Sequence, residues 1–144
     1  MIDMLMEKAT DVRKEWSAVC DSVIHTKPKF IKRTRDKMWF SNLETMQEIL
    51  EAYHFTAAEY VENDGTVTLS LNEIDLMENG ETEELTKSLL GKSILEYAVE
   101  YYENYEQYSK SPNRKSHIPY IFKALITDDP EKIGESISCQ NGKS

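Results

Sequence analysis

The sequence predicts an α+β protein of two small units. The first is a helix, a β-hairpin and a second helix; the second is a small antiparallel sheet followed by a long helix and C-terminal helices. Three observations predict this. Apolar residues recur at helical spacing in long stretches that alternate with short, strand-like runs. Tight-turn signals separate those runs, most clearly Asn63-Asp64-Gly65. Charge is also divided: residues 1–55 hold nine Lys/Arg and nine Asp/Glu, whereas residues 56–144 hold eight against seventeen and carry the whole net charge of -9. A chain of 144 residues with 40% hydrophobic content can fill one ordinary core, or two small units that share or dimerise to complete theirs. The units are placed at 1–54 and 55–144.

The first helix is expected from Thr10, with Thr10 or Asp11 as its cap and Val12, Trp16, Val19, Val23 and Ile24 on one face, ending near His25. Pro28 stops it. PKFIKRT and KMWFS then read as two strands around a turn at Arg35-Asp36. Ser41 with Glu44 three residues on forms a capping box for a second helix bearing Leu43, Met46, Ile49, Leu50 and Tyr53. The second unit opens with two strands joined at Asp64-Gly65, a brief third strand near Ile74 to Met77, and a turn at Asn79-Gly80. Thr82 followed by Glu83 and Glu84 starts a long helix, because a hydroxyl cap and first-turn acids complement its exposed amides. Leu85, Leu89, Ile94, Tyr97, Tyr101 and Tyr105 give it an apolar face to about Tyr108. SKSPNRK breaks it, Ile118 to Ile126 forms a short helix, Asp128-Asp129-Pro130 opens a last one, and CQNGKS is read as a frayed end.

The chemistry-bearing patterns are few. No run approaches the roughly 20 apolar residues of a membrane span, and MIDMLMEKAT lacks the basic flank of a secretion signal, so a soluble, cytoplasmic protein with no membrane partner is expected. Cys20 is assigned to the core and Cys139 to the tail; with no second Cys or His at metal-like spacing, neither a zinc site nor a disulfide is expected. His25, His54 and His117 have no nucleophile beside them and are read as surface residues near helix ends, and five glycines make no phosphate loop. The expectation is therefore no enzyme, no catalytic residues, no metal and no cofactor. In EYAVEYYENYEQY the tyrosines alternate with glutamates that would repel phosphate, which favours core packing or a protein interface over base stacking.

One stretch runs against the acidic composition. From Lys27 to Lys37 there are six cations, Lys27, Lys29, Lys32, Arg33, Arg35 and Lys37, against Asp36 alone. Lysines on a strand can protect a sheet edge; closely spaced Lys/Arg on a strand and turn can equally neutralise phosphates. Spacing alone leaves both open.

The order VRKEWSAVCDSV, KPKFIKRTRDK, SNLETMQEIL resembles the Phd/YefM family of antitoxins over roughly residues 5 to 53, with Asp36-Lys37 where the family has a Gly-Lys-Pro turn and Asn42 displacing the Leu of its Ser-Leu-Glu helix start. The resemblance implies a homodimer on operator DNA, with Arg13 and Lys14 on the first helix and Arg33 and Arg35 at the turn facing DNA, joined by Lys8 and Lys32. The second unit, with its Asp-Gly hairpin, short third strand and Gly80, Thr82, Glu84 helix start, is similar to the HicB-like antitoxin fold. Together these imply a type II antitoxin that neutralises a basic partner toxin by direct binding and represses its own operon. The alternative is a protein-interaction adaptor without DNA affinity.

Overall fold

The first of two units, Met1–Ile49, is organised around three short strands. In this computed structural model, which describes residues 1–142, they are β1 (Met6–Lys8), β2 (Lys29–Arg33) and β3 (Asp36–Phe40). β2 and β3 form the expected antiparallel hairpin, and β1 adds a parallel edge that the sequence reading lacked. The turn is Thr34-Arg35, one residue earlier than expected. Register explains the shift: Ile31 pairs with Met38, which sets Asp36 opposite Arg33 at the first ladder position and leaves Thr34 and Arg35 as the two turn residues. Thr34 takes the positive φ of 56°, an uncommon conformation for a β-branched residue.

The expected first helix is two, α1 (Ala9–Lys14) and α2 (Trp16–His25), separated at Glu15. At the break the Trp16 ring lies parallel to Phe40 with centroids 5.5 Å apart, a contact that offsets some of the lost helical regularity. Neither Thr10 nor Asp11 is the cap. The chain is already extended at Lys8 because β1 pairs there, and Lys8 leads into α1 with no side-chain cap bond. α3 (Leu43–Leu50) starts one residue later than a Ser41 box would place it. Asn42 Oδ1 accepts from Thr45 N at 2.9 Å while its Nδ2 donates to Ile24 O at 3.1 Å, so one side chain caps α3 and ties it to the end of α2, which a serine cannot do. The core is small: Val12, Val19, Val23 and Ile31, flanked by Ala9 and Phe40.

The second unit begins at Leu50. β4 (Thr56–Val61) and β5 (Val67–Leu71) form the Asp64-Gly65 hairpin, with Gly65 at φ 85° and Asp64 Oδ1 accepting from Thr66 N. β6 (Met77–Gly80) is the third strand, three residues further along than expected; Asn79 and Gly80 pair with Thr68 and Val67 instead of turning. The 21-residue α4 (Glu83–Glu103) is capped by Thr82, which accepts from Leu85 N. It ends at Asn104, before the short α5 (Tyr105–Lys110). α6 (Ile118–Thr127) and α7 (Pro130–Glu135) follow, with the Asp129 side chain capping α7. The expected frayed tail is corrected: β7 (Ser138–Asn141) runs parallel beside β4, giving sheet order β6-β5-β4-β7. Lys143 and Ser144, the last of that expected tail, lie outside the described residues.

The core gathers Phe55, Leu69, Leu90, Ile94, Tyr101 and Ile121 between sheet and helices. The buried side of α4 is Thr86, Leu90, Gly91, Ile94, Ala98 and Tyr101, while Leu85 and Leu89 of the expected stripe face out. Small residues decide this rotation. A Cβ on Gly91 would overlap the Pro130 carbonyl oxygen and lie 2.7 Å from Gly134 N, so the backbones of α4 and α7 meet where no side chain fits. The Thr86 hydroxyl donates to the Thr82 and Val67 carbonyls. His117 is a further correction. It is buried, sharing a hydrogen bond of 2.9 Å between Nδ1 and Tyr97 Oη, and burial pushes its pKa below the ordinary value of 6.5. Arg114 lies over the Tyr108 ring, 4.0 Å from the centroid, and its carbonyl accepts from Tyr101 Oη. Tyr101 of the tyrosine series is thus core, with Tyr97, Tyr105 and Tyr108 packed against it, whereas Tyr102 is exposed. No described helix is long and apolar enough to cross a membrane, and the α+β class is the one expected.

Candidate nucleic-acid interface

Residues directly opposite on neighbouring strands point to the same face of a sheet. In the first unit Lys8 of β1 stands opposite Lys32 of β2, and Lys32 opposite Lys37 of β3. Three lysines therefore form one row across the whole sheet. Two positions along, on the same face, run Met6, Phe30 and Trp39. Packing like charges side by side costs a few tenths of a kcal/mol per pair, roughly, and Lys37 alone of the three has an acid within reach, Asp3 at 3.6 Å.

Around the N-terminal end of α1 the row continues into a cleft lined by Lys8, Ala9, Thr10, Lys32, Arg33 and Thr34. The structure thus brings together three of the six cations named from sequence, Lys8, Lys32 and Arg33. Arg35 sits exposed in the turn beside them. Arg13 lines a different, apolar groove with Trp16, Met38 and Trp39, and Lys14 is exposed at the end of α1. Among the described residues none of the six is within ion-pair distance of a carboxylate. Lys29 differs, pairing with Glu7 at 3.1 Å. Lys37 was missed as a member of the row because its place depends on register, for which the signal was the Arg33–Asp36 pairing.

The same unit also exposes apolar side chains. Trp16, Ile24, Met38, Trp39, Leu43 and Ile49 are all exposed, Leu43 at 67%, beside a core of only four buried side chains. In the second unit the outward side of α4 carries exposed Leu85, Leu89, Val99 and Tyr102 along with exposed Glu96 and Glu103, an apolar and acidic surface.

The model of the PHD-like family, described as antitoxin of toxin-antitoxin, RelE / RelB, TA system, matches residues 4–139. No curated protein matches the chain. The crystal structure of an antitoxin part of a proposed toxin/antitoxin system from Syntrophomonas wolfei subsp. wolfei is similar throughout: the TM-score is 0.89 at 29% identity, covering 94% of this chain and 98% of that one.

Proposed function

Because this chain belongs to the PHD-like family of toxin–antitoxin antitoxins, we propose that it is a cytoplasmic, non-enzymatic antitoxin that neutralises its toxin by direct binding and represses its own operon as a DNA-bound homodimer of the Phd/YefM type. The observation that carries the DNA half is the Lys8–Lys32–Lys37 row. Edge protection accounts for lysines on β1 and β3, but Lys32 lies on the central strand, where no edge needs protecting. A row of cations in register is paid for in repulsion by the free sheet and relieved when phosphates lie across it. Arg33 and Arg35 at the turn supply forked donors suited to a phosphate or a guanine edge. The exposed apolar groups of a unit with four core residues fit burial against a second copy, which would double the row.

The toxin half rests on the second unit. Its acids outnumber its bases, and the apolar-acidic side of α4 suits a basic protein, since complementary charge steers association and apolar contacts hold it. The Asp64-Gly65 hairpin, the short β6 and the Thr82-capped start of the long α4 support the HicB-like likeness of this unit. Gel shifts at low salt on the DNA upstream of its own reading frame test the first half; co-expression with the small protein encoded beside it tests the second. Retarded DNA that is released when Lys32 and Arg33 are replaced by Gln is expected. If no DNA is retarded while the neighbouring protein still co-purifies, the chain is an adaptor and the repressor reading fails.

A further inference from the structure

The second sheet holds a group that its strand pattern does not ask for. Alternation along β4 puts Glu59 on the same face as Ala57, which is fully buried in the core. Cys139 stands opposite Ala57 on the parallel neighbour β7, and Glu83 is the first residue of α4. An oxygen of each carboxylate and the thiol sulfur all lie within 4.8 Å of one another. Glu59 Oε1 is shielded from solvent and has no hydrogen-bond partner, a state that costs a carboxylate free energy unless a proton or a cation balances it. Lys87, 3.4 Å from Glu83 Oε1, offsets one of the two charges. Burial first, and then the neighbouring Glu83, push the Glu59 carboxyl above the usual carboxylate range, and burial likewise raises the Cys139 thiol.

We propose that Glu59, Glu83 and Cys139 form a binding site for a divalent cation of the zinc class. The donor set selects the metal: a thiolate suits borderline ions such as Zn²⁺ and disfavours Mg²⁺ and Ca²⁺, which take oxygen ligands. Bonds of about 2.0–2.3 Å in a tetrahedron place donor atoms about 3.5 Å apart, so groups that lie within 4.8 Å of one another need to close by about 1.3 Å at most. Glu83 can supply that movement, with a side chain 46% exposed at the start of a helix, and its open side leaves the fourth position to water. The three ligands come from positions 59, 83 and 139, a separation in sequence that hides the site from any spacing rule, and a metal bound here would run against the expectation of none. Binding would tie β7 to β4 and to the first turn of α4, and it would release the thiol proton.

Cobalt(II) is the spectroscopic probe, used with the full chain near neutral pH. One equivalent is expected to give a thiolate-to-cobalt charge-transfer band in the near ultraviolet, displaced by Zn²⁺. Cys139→Ser should abolish the band, Cys20→Ser should keep it, and Glu59→Gln should weaken affinity at least about ten-fold. Zn²⁺ should raise the unfolding temperature of the wild type and leave Cys139→Ser unmoved. Absence of the band in the wild type, or its persistence in Cys139→Ser, overturns the proposal. A Glu59→Gln protein that is more stable than a wild type indifferent to Zn²⁺ also overturns it, since a shared proton would then be what balances the two carboxylates.

Discussion

Gly91→Ala tests the packing of α4 against α7 inside the acidic unit. Helix propensity alone predicts stabilisation by about 1 kcal/mol, the usual advantage of alanine over glycine inside a helix. The structure predicts the reverse. The new methyl would overlap the Pro130 carbonyl oxygen and sit 2.7 Å from Gly134 N, both backbone atoms that no rotamer change can remove. Relief requires α7 to move away from α4, which strips contacts from Ile133, a residue buried to 1% exposure. Overpacking of this kind costs about 1–3 kcal/mol; with backbone on both sides the upper end applies, leaving a net loss of about 2 kcal/mol after the propensity gain. That corresponds to a urea midpoint lower by about 1 M. The chain carries its own internal control, because both tryptophans, Trp16 and Trp39, lie in the first unit and all eight tyrosines lie from Tyr53 onward. Tyrosine near-ultraviolet dichroism should show the earlier transition while tryptophan fluorescence keeps its midpoint. A tyrosine transition that is unchanged or shifted to higher urea would refute the close-packing argument.

If Lys8, Lys32 and Arg33 each meet a phosphate in both copies of a dimer, log K against log salt should have a slope of about −5 from these groups; the triple Gln variant should lose most of it, and an unchanged slope places the contact elsewhere. Lys32→Thr should weaken DNA binding while stabilising the free first unit by a few tenths of a kcal/mol, roughly, because it removes two like-charge neighbours; tryptophan-monitored unfolding reads the second effect, and a fall in stability contradicts it. His117 has a folded pKa below its ordinary 6.5, so the unfolded chain binds the proton more readily. Its contribution to stability is full above 6.5 and is lost as pH falls from there towards the lower folded value. The difference in tyrosine-monitored midpoint between wild type and His117→Gln should shrink over that window, and a constant difference would show that the imidazole does not titrate with folding.

Elements with strong local signals were legible. The Asp64-Gly65 turn, the Thr82 cap and the Asp129-Pro130 start each rest on side chains that bond their own neighbourhood, and these appear where expected. What the sequence hid was non-local. β1 and β7 have three and four residues, too few for a periodic signal, and each exists because a distant strand offers a parallel edge. The face of α4 was misplaced because Gly91 and Ala98 look weak beside Leu85 and Leu89, although close helix approach favours the small residues. His117 was read as exposed from its place at a helix end; only the fold shows that Tyr97 is beside it. In the candidate interface, composition located the cations but not their arrangement. Lys37 and Lys8 join Lys32 through register, and Arg13, which the family resemblance implied as part of the same surface, lines another groove.

The same register bears on how a first unit with so small a core could serve as a repressor. Four buried aliphatic side chains in Met1–Ile49 are few for a unit in the size range where folding unaided is marginal, about 40–60 residues. Its lysine row subtracts from that stability instead of adding to it. On the proposed reading both deficits are met by binding: a second copy covers Trp16, Leu43 and their neighbours, and phosphate offsets the row. Folding of the unit is then linked by mass action to protomer and DNA concentrations, so the DNA-bound dimer is its most stable form. The second unit has thirteen residues in its buried core and needs no such support. A chain built this way would lose its operator-binding form on dilution while the acidic unit stays folded and able to hold a toxin, which separates repression from neutralisation without any conformational signal passing between the two.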